Sequence, residues 1–593
     1  MFRSPAPVLV TVLLLGGLTC AQRGAGGGSR GGRSGSGGTA PIPTAVSTPF
    51  LTSPTVQHAS DEHPVEFKSQ TVLVSVPVVV TDKSGKPVPG LSRSDFTVRE
   101  NGKEQSIGSF EEIETTHAPF SAEHLRPGEF SNTSVIGDAP RAITIVALDT
   151  INTPFLDQTY GRKQLIKYLA DNLQPGQVVG VVSFTSKGVK VIHDFSSNSA
   201  ELIEGLKKVK GEFPVLQGVD VTTQAVAAGT SDAYLASSLA LPLGSTAVNL
   251  EDFVTQGDAE IARMQRDRAI EDTIRAFTEI AWSVRGVAGK KSLLWATAGF
   301  PFFMDTPQAV PGGYLSILYE RALQALNDAE ISVYPIDVRG LVNYSPASDA
   351  SIRGARLNNS FSQNLAARSW LQTSTIDTLK DFAEMTGGRA FYNTNDLTTS
   401  FAQAANDASH YYLLTYYLDT KNTKPGWRSL KVKVNRPGVE VRARTGFFVT
   451  NATVNPATSH QSDMSFALTS PFDSTGIPLT VRWKGSSDDG HKKKVQFGLL
   501  VAPEGVTIEG DRNQLNLEFA IVAVTSKGGT AADTISQTLQ GAANPDTVAK
   551  LRAEGLAYNN VLELPAGQYT VRFVVRDNPT GKIGSVSAPL TVN

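Results

Sequence analysis

Cysteine is almost absent, with Cys20 the only one in 593 residues, so no disulfide can form within the chain. Histidine is sparse as well. The eight histidines are scattered, with no His-Glu-x-x-His and no ligand-like pair, which leaves zinc hydrolysis without support. An excess of one charge is also lacking. The 54 basic and 56 acidic side chains give a net charge of −2, so no global field favours nucleic acid or another polyanion. Beyond the amino terminus no stretch approaches the ~18 apolar residues of a membrane span, and no transmembrane helix is expected. What the chain does have is length and a 40% hydrophobic content, enough for several cored domains.

Residues 1–21 read as a signal peptide: Arg3 supplies positive charge, Pro7 to Leu18 an apolar core, and Thr19-Cys20-Ala21 a small-residue cleavage site. The expected location is secreted, or periplasmic and cell-envelope. Cleavage after Ala21 leaves a mature chain with no thiol. The alternative, a lipid anchor on Cys20, fits its recognition sequence poorly at Gly17 and Thr19. Residues 22–66 are rich in Gly, Ser and Pro with few large apolar side chains, as in a disordered linker. Gly27-Gly-Ser-Arg-Gly31 matches a hydrolase nucleophile elbow in letters only, because that motif needs a strand before it and a helix after it.

The folded part has three grammars. Residues 67–115 alternate as strands do, with turns at Asp82-Lys-Ser-Gly85 and Asn101-Gly102. Residues 140–409 alternate apolar strands with helical patterns. Strands are expected at Ile143 to Leu148, Val178 to Phe184, Val189 to His193, Lys291 to Thr297, Ile331 to Ile336 and Arg389 to Tyr392. Helices are expected at Tyr160 to Leu173, Glu260 to Val284, Leu315 to Ala329, residues 376–386 and Leu397 to Ser409. This pattern predicts an α/β fold with a doubly wound, mainly parallel, Rossmann-like sheet, in which ligands sit beyond the carboxyl ends of the strands. Strand patterns return over 410–450 and are expected to complete the unit begun by 67–115, making the α/β domain an insertion in one β-sandwich. Residues 464–593 carry short strands at sandwich spacing and predict an immunoglobulin-like β domain.

The candidate site lies where the first apolar strand ends. Asp149-Thr-Ile-Asn-Thr153 keeps the carboxylate and last hydroxyl of an Asp-x-Ser-x-Ser metal-binding motif but has Ile151 at the first serine position. The chain resembles the von Willebrand factor A-related (VWFA-related) domain proteins of the acidobacterial type. The likeness rests on Val79-Val-Thr-Asp-Lys-Ser-Gly-Lys-Pro-Val88, Asp95-Phe-Thr-Val-Arg-Glu-Asn-Gly102, Leu148-Asp-Thr-Ile-Asn-Thr-Pro154 and Gly289-Lys-Lys-Ser-Leu-Leu-Trp295. It continues in Val333-Tyr-Pro-Ile-Asp-Val-Arg-Gly-Leu341, Thr386-Gly-Gly-Arg-Ala-Phe-Tyr-Asn393 and Leu564-Pro-Ala-Gly-Gln-Tyr-Thr570. The resemblance implies an exported A-type fold with flanking β domains. It also implies an adhesion site holding Mg²⁺ or another divalent cation through an Asp, two hydroxyls, a loop threonine and a later aspartate, with a ligand carboxylate completing the shell. Carried over, Asp149 and Thr153 match, Ile151 removes a hydroxyl, and Ala298 stands where the later aspartate would lie. Thr273 is the loosely aligned loop threonine, and Asn152, Thr297, Asp305 and Asp337 are replacement donors.

A structural reading stands beside this one. Thr153-Pro154 is a good helix start, Asp149 can accept backbone N–H bonds in the same turn, and Asp337 can pair with Arg339. Gly289-Lys-Lys-Ser292 lacks the first glycine of a phosphate loop. His193 and Asp194 are adjacent in a strand and point to opposite faces. Tyr411, Tyr412, Tyr416 and Tyr417 are expected as core aromatics, and the low-complexity connection from Gln217 to Thr255 is either a recognition loop or disorder. The function expected is that of a non-enzymatic exported binding or adhesion protein with a degenerate metal site, its partner a protein or an acidic polymer. An envelope scaffold is the alternative, and an extracytoplasmic hydrolase a further one.

Overall fold

The computed structural model of this chain describes residues 71–115, 125–132, 143–174, 176–209, 211, 246–287, 289–300, 314–341, 376–419, 424, 426–449, 456–470, 472–489, 492–510, 513–526 and 531–593. The expected signal peptide, the linker, Cys20, Gly27 to Gly31 and Asp305 lie outside them.

The first unit begins with strands β1 (Thr71–Asp82), β2 (Phe96–Glu100), β3 (Lys103–Gln105) and β4 (Ser109–Glu114). A short β5 (Glu129–Ser131) follows. The middle unit runs β6 (Ile143–Asp149), α1 (Phe155–Asp171), β7 (Val178–Thr185), β8 (Gly188–Ser196), α2 (Ser199–Lys207), α3 (Thr246–Val284), β9 (Lys291–Thr297), α4 (Tyr314–Asp328) and β10 (Ile331–Asp337). Helices α5 (376–386) and α6 (Leu397–Asn406) close it. Then come β11 (His410–Asp419), β12 (Gly426–Val434), β13 (Val439–Arg442) and β14 (Gly446–Val449). The last unit holds α7 (Pro456–Thr469), β15 (Leu479–Asp489), β16 (Lys492–Val501), β17 (Gln514–Thr525), β18 (Ala531–Ala542), α8 (Pro545–Glu554), β19 (Leu556–Leu564), β20 (Gly567–Asp577) and β21 (Ile583–Val592).

The fold class expected from the strand-helix alternation is corrected by the strand pairing. Strand outweighs helix, and four of the five sheets are wholly antiparallel. The fifth, in the order β10-β9-β6-β7-β8, has parallel pairs only from β10 to β7. Two physical facts separate expectation from outcome. Thr185 pairs with Gly188 across a turn, and a connection this short can only return the chain antiparallel, so β8 forms a hairpin with β7. The strand expected at Arg389 to Tyr392 shrinks to a single parallel bridge between Phe391 and Ile336. The remaining apolar segments spend their length on hairpins that wrap two β-sandwiches.

Strands before and after the middle unit do interleave. β1 pairs with β11 and β13, β4 with β11, and β2 with β12. The period of two sends Val74, Val76, Val78 and Val80 of β1 into one core with Tyr412, Leu414 and Tyr416. In the five-stranded sheet Ile145 and Ala147 pack toward α3 and α4, while Val146 and Leu148 pack toward α1 and α6. Of the four tyrosines expected in the core, Tyr411, Tyr412 and Tyr416 are buried and Tyr417 is 65% exposed.

The carboxyl-terminal sandwich recruits a strand from far away. β5 pairs with β15, and the Asn132 side chain just after it donates to the carbonyls of Ser474 (2.7 Å) and Ile477 (2.9 Å) and accepts from the Leu479 N–H (2.8 Å). A span of only three residues carries no readable period, which is why this strand is invisible in the sequence.

The first sandwich meets the middle unit at the amino ends of its strands, through buried polar groups. The Lys290 N–H donates to Tyr411 Oη (2.9 Å), and Lys290 Nζ donates to Tyr334 Oη (2.9 Å). Lys291 Nζ donates to the Ala329 carbonyl just past α4 (2.7 Å), and Ser75 Oγ donates to Glu330 (2.8 Å). Arg444 donates to the Ser75 carbonyl (2.7 Å), and Arg442 pairs with Asp407 (2.7 Å). Burial pushes both lysines down to about 8 from an ordinary 10.5. Between those values the unfolded chain holds more protons than the folded one, so stability rises as pH rises through that window. The expected gain between about pH 8 and pH 10 is on the order of 2 kcal/mol per lysine. Urea denaturation across that range should show the positive slope in the wild type and a reduced slope in Lys290→Met and in Lys291→Met.

Candidate functional site

Asp149 ends β6 at the carboxyl edge of the five-stranded sheet and is 1% exposed. Its carboxylate accepts five hydrogen bonds. Oδ1 takes the N–H groups of Ile151 and Asn152, both at 2.9 Å, and Oδ2 takes Asn152 Nδ2 (2.9 Å), Trp295 Nε1 (3.1 Å) and Thr297 Oγ1 (2.7 Å). Burial drives its pKa upward, while the bonds from Asn152, Thr297 and Ile151 pull it back.

The neighbouring donors are spoken for in the same way. Thr153 Oγ1 is buried and accepts the Ala298 N–H at 3.1 Å. Thr273 lies well inside α3 and donates to the Ala269 carbonyl one turn back (2.7 Å), while its oxygen accepts from Asn152 Nδ2 (2.9 Å). Asp337, at the end of β10, receives the Arg339 N–H and Nε on Oδ1 (3.0 and 2.9 Å) and Nη2 on Oδ2 (2.7 Å). The structure therefore brings Asp149, Asn152, Thr153, Thr273 and Thr297 together, and gives Asp337 a separate ion pair.

This set does not fit a divalent cation. Mg²⁺ needs about six oxygens in near-octahedral array, and one oxygen of the cluster is open: Asn152 Oδ1, buried without a partner among the described residues. Its amide cannot usefully turn over, because Nδ2 already bridges the Asp149 carboxylate and the Thr273 hydroxyl. Ile151 at the first serine position is fully buried in the core below α3. Beside the cluster is a cleft of about 20 Å³, room for a water molecule.

Trp295 is the functional neighbour that sequence reasoning missed. It sits in β9 opposite Ala147 of β6, and only the parallel register of those strands brings its indole N–H to Asp149. Thr297, from the same strand, was legible because it ends a strand at the same edge.

No family model matches the chain, and no curated protein matches it in sequence. Its site is therefore read from its own geometry.

The other constellations resolve as local structure. His193 Nδ1 lies 2.7 Å from the Asp194 backbone carbonyl, while the Asp194 carboxylate takes the Phe195 N–H (2.8 Å), so the two side chains form no dyad. Gly289 has φ +89°, and the segment runs directly into β9 without a helix behind it. Of the connection from Gln217 to Thr255, residues 217–245 lie outside the described part and the remainder is the first turns of α3.

Near the same edge, Glu279 of α3 accepts the Val189 N–H (3.1 Å), and burial pushes its carboxyl up to about 7. A folded-state pKa above the ordinary 4.5 means stability that is present at acid pH and lost as pH rises through 7. Glu279→Gln keeps the acceptor and removes the charge. The variant should match wild type near pH 4 and exceed it above pH 7 by up to about 3 kcal/mol in chemical denaturation. Asp149→Ala removes the acceptor of five buried hydrogen bonds, of which only that from Thr297 Oγ1 has another acceptor at hand in the Gly299 carbonyl (2.9 Å), and should cost more than about 3 kcal/mol in the same assay.

Proposed function

We propose that this chain is an exported, non-enzymatic scaffold of the cell envelope, related to the VWFA-related proteins, whose β-sandwiches meet its protein partners while the middle unit serves as a rigid spacer. The observation that carries the reading is the saturation of Asp149. An adhesion-type centre works by offering an incoming acid an electrophilic cation with an open position. Here the carboxylate that would anchor such a cation accepts five protein hydrogen bonds and is 1% exposed. The one hydroxyl–carboxylate pair of the cluster, Thr297 Oγ1 on Asp149 Oδ2, is buried and out of a substrate's reach, which counts against the hydrolase reading.

Several features support a scaffold. The three units are tied by interleaved strands and buried polar contacts, a construction that resists relative motion. The twelve-residue strand β18 borders the last sandwich and pairs within its sheet with β17, with Thr534, Ser536, Thr538 and Gln540 exposed along it. Such a margin is suited to β-addition by another chain. Among the described residues no helix is long and apolar enough to cross a membrane.

Cation-dependent adhesion is the competing reading, with only the open Asn152 Oδ1 among the cluster's oxygens in its favour. Thermal unfolding with Mg²⁺, Mn²⁺ or Ca²⁺ separates the two. The scaffold reading expects an unchanged midpoint with each ion. A bound ion at ~100 times its dissociation constant would instead add about 2.7 kcal/mol, and a rise of that size abolished by Asn152→Ala would overturn the scaffold in favour of adhesion.

A further inference from the structure

At the opposite, amino-terminal edge of the five-stranded sheet, helices α1 and α6 end side by side. Between their last turns and the segment entering β7 lies a groove of about 510 Å³, within the range of ordinary small-ligand clefts. Among the described residues its walls carry no Asp, Glu, Lys or Arg. Half of the ten described lining residues are carboxamides: Asn172, Gln174, Gln177, Gln403 and Asn406.

Two of these amides, Gln403 and Gln174, are held at one end and open at the other. Gln403 Oε1 accepts from Arg389 Nη2 (2.7 Å), which orients the side chain and leaves its Nε2 without a partner among the described residues. Ser409 Oγ donates to the Asn406 backbone carbonyl (2.7 Å) and lies 3.1 Å from Asn406 Oδ1, and Asn406 Nδ2 has no partner among the described residues. Gln174 Nε2 donates to the Asn172 carbonyl (3.2 Å) and leaves Oε1 as an acceptor. The Asn172 carboxamide has no hydrogen bond among the described residues, so both of its ends are available. The floor is fixed by Gln177, which is buried, donates to Thr144 Oγ1 (3.2 Å) and accepts from the Gln174 N–H (3.3 Å). Tyr168, packed against Phe401 at 5.9 Å, supports it from below.

The chemistry of this lining selects its ligand. Amide donors and acceptors line the same groove, which suits groups that both donate and accept, as hydroxyls do. Two helix carboxyl ends converge here, and their negative dipole ends disfavour an anion. With no acidic side chain among the described lining residues, a cation would find only the partial charge of those helix ends and no full counter-charge. We infer that the groove is a binding site for a neutral, polyhydroxylated ligand, an uncharged oligosaccharide. The site lies on the far edge from Asp149 and is independent of the cation question.

The test is isothermal titration of the mature chain with maltotriose, cellotriose and triacetylchitotriose, with trigalacturonate as the charged control. Saturable binding of at least one neutral trisaccharide is expected, with trigalacturonate bound more weakly. Gln403→Ala and Asn172→Ala, both on the surface of folded helix ends, should each weaken it about tenfold, the worth of roughly one hydrogen bond. Thr538→Ala, on β18, should leave it unchanged. Absence of saturable binding by all three neutral sugars, binding indifferent to Gln403 and Asn172, or preference for the acidic sugar would each overturn the inference.

Discussion

The antiparallel pairing of β1 with β11 is the constraint on which this molecule depends. Eight successive residue pairs, from Thr71 with Asp419 to Val78 with Tyr412, close a loop of more than three hundred residues. Closing a loop that long has a real entropic cost, though the cost grows slowly with length. It is offset by a two-sided burial. One face of the ribbon fills the sandwich core with Val74, Val76, Val78, Tyr412, Leu414 and Tyr416. The other presents Ser75 and Tyr411 to the amino ends of β9 and β10, where Glu330 and Lys290 meet them. The middle unit is thereby held at both of its ends and across its base.

That base is polar, and its consequences follow from burial. Two adjacent lysines, an Arg–Asp pair and several tyrosine hydroxyls are enclosed where an apolar contact would be simpler. Each group needs a matched partner, so the two units can dock in few other ways. The carboxyl edge shows the same principle in smaller form. A lone buried carboxylate is tolerated at Asp149 because strand ends, a turn and an indole supply its hydrogen bonds. Once they do, it is a structural knot that ties β6, β9 and the first turn after β6 together.

Much of the fold was legible along the chain, and the failures share a cause. Lys291–Thr297 was read to the residue, and β6, β7 and β10 to within one residue at either end, because fully buried strands are continuous apolar runs. β5 and β18 went unread, the first because it is three residues long and the second because its inward side is Ala, Ile and Leu among Thr, Ser and Gln. The parallel reading was extended too far for a related reason: apolar continuity reports burial on both faces, not strand direction. Direction at β8 was set by a tight turn, and the bulk of the sheet content by hairpins.

The sequence by itself determined the long buried strands of the middle unit and the residues gathered directly after β6, since periodicity, turn chemistry and short-range spacing act over a few positions. It also set the chemical inventory: no disulfide, no charge excess, and a damaged Asp-x-Ser-x-Ser pattern at Asp149. Only the tertiary structure decided what that inventory does. Whether a carboxylate is free or saturated depends on which strands lie beside it, and Trp295 is 146 residues away from Asp149 in the chain. Whether five amides form a groove depends on two helices ending together. Contacts of that separation are chosen by the packing of whole units, and no local pattern encodes them.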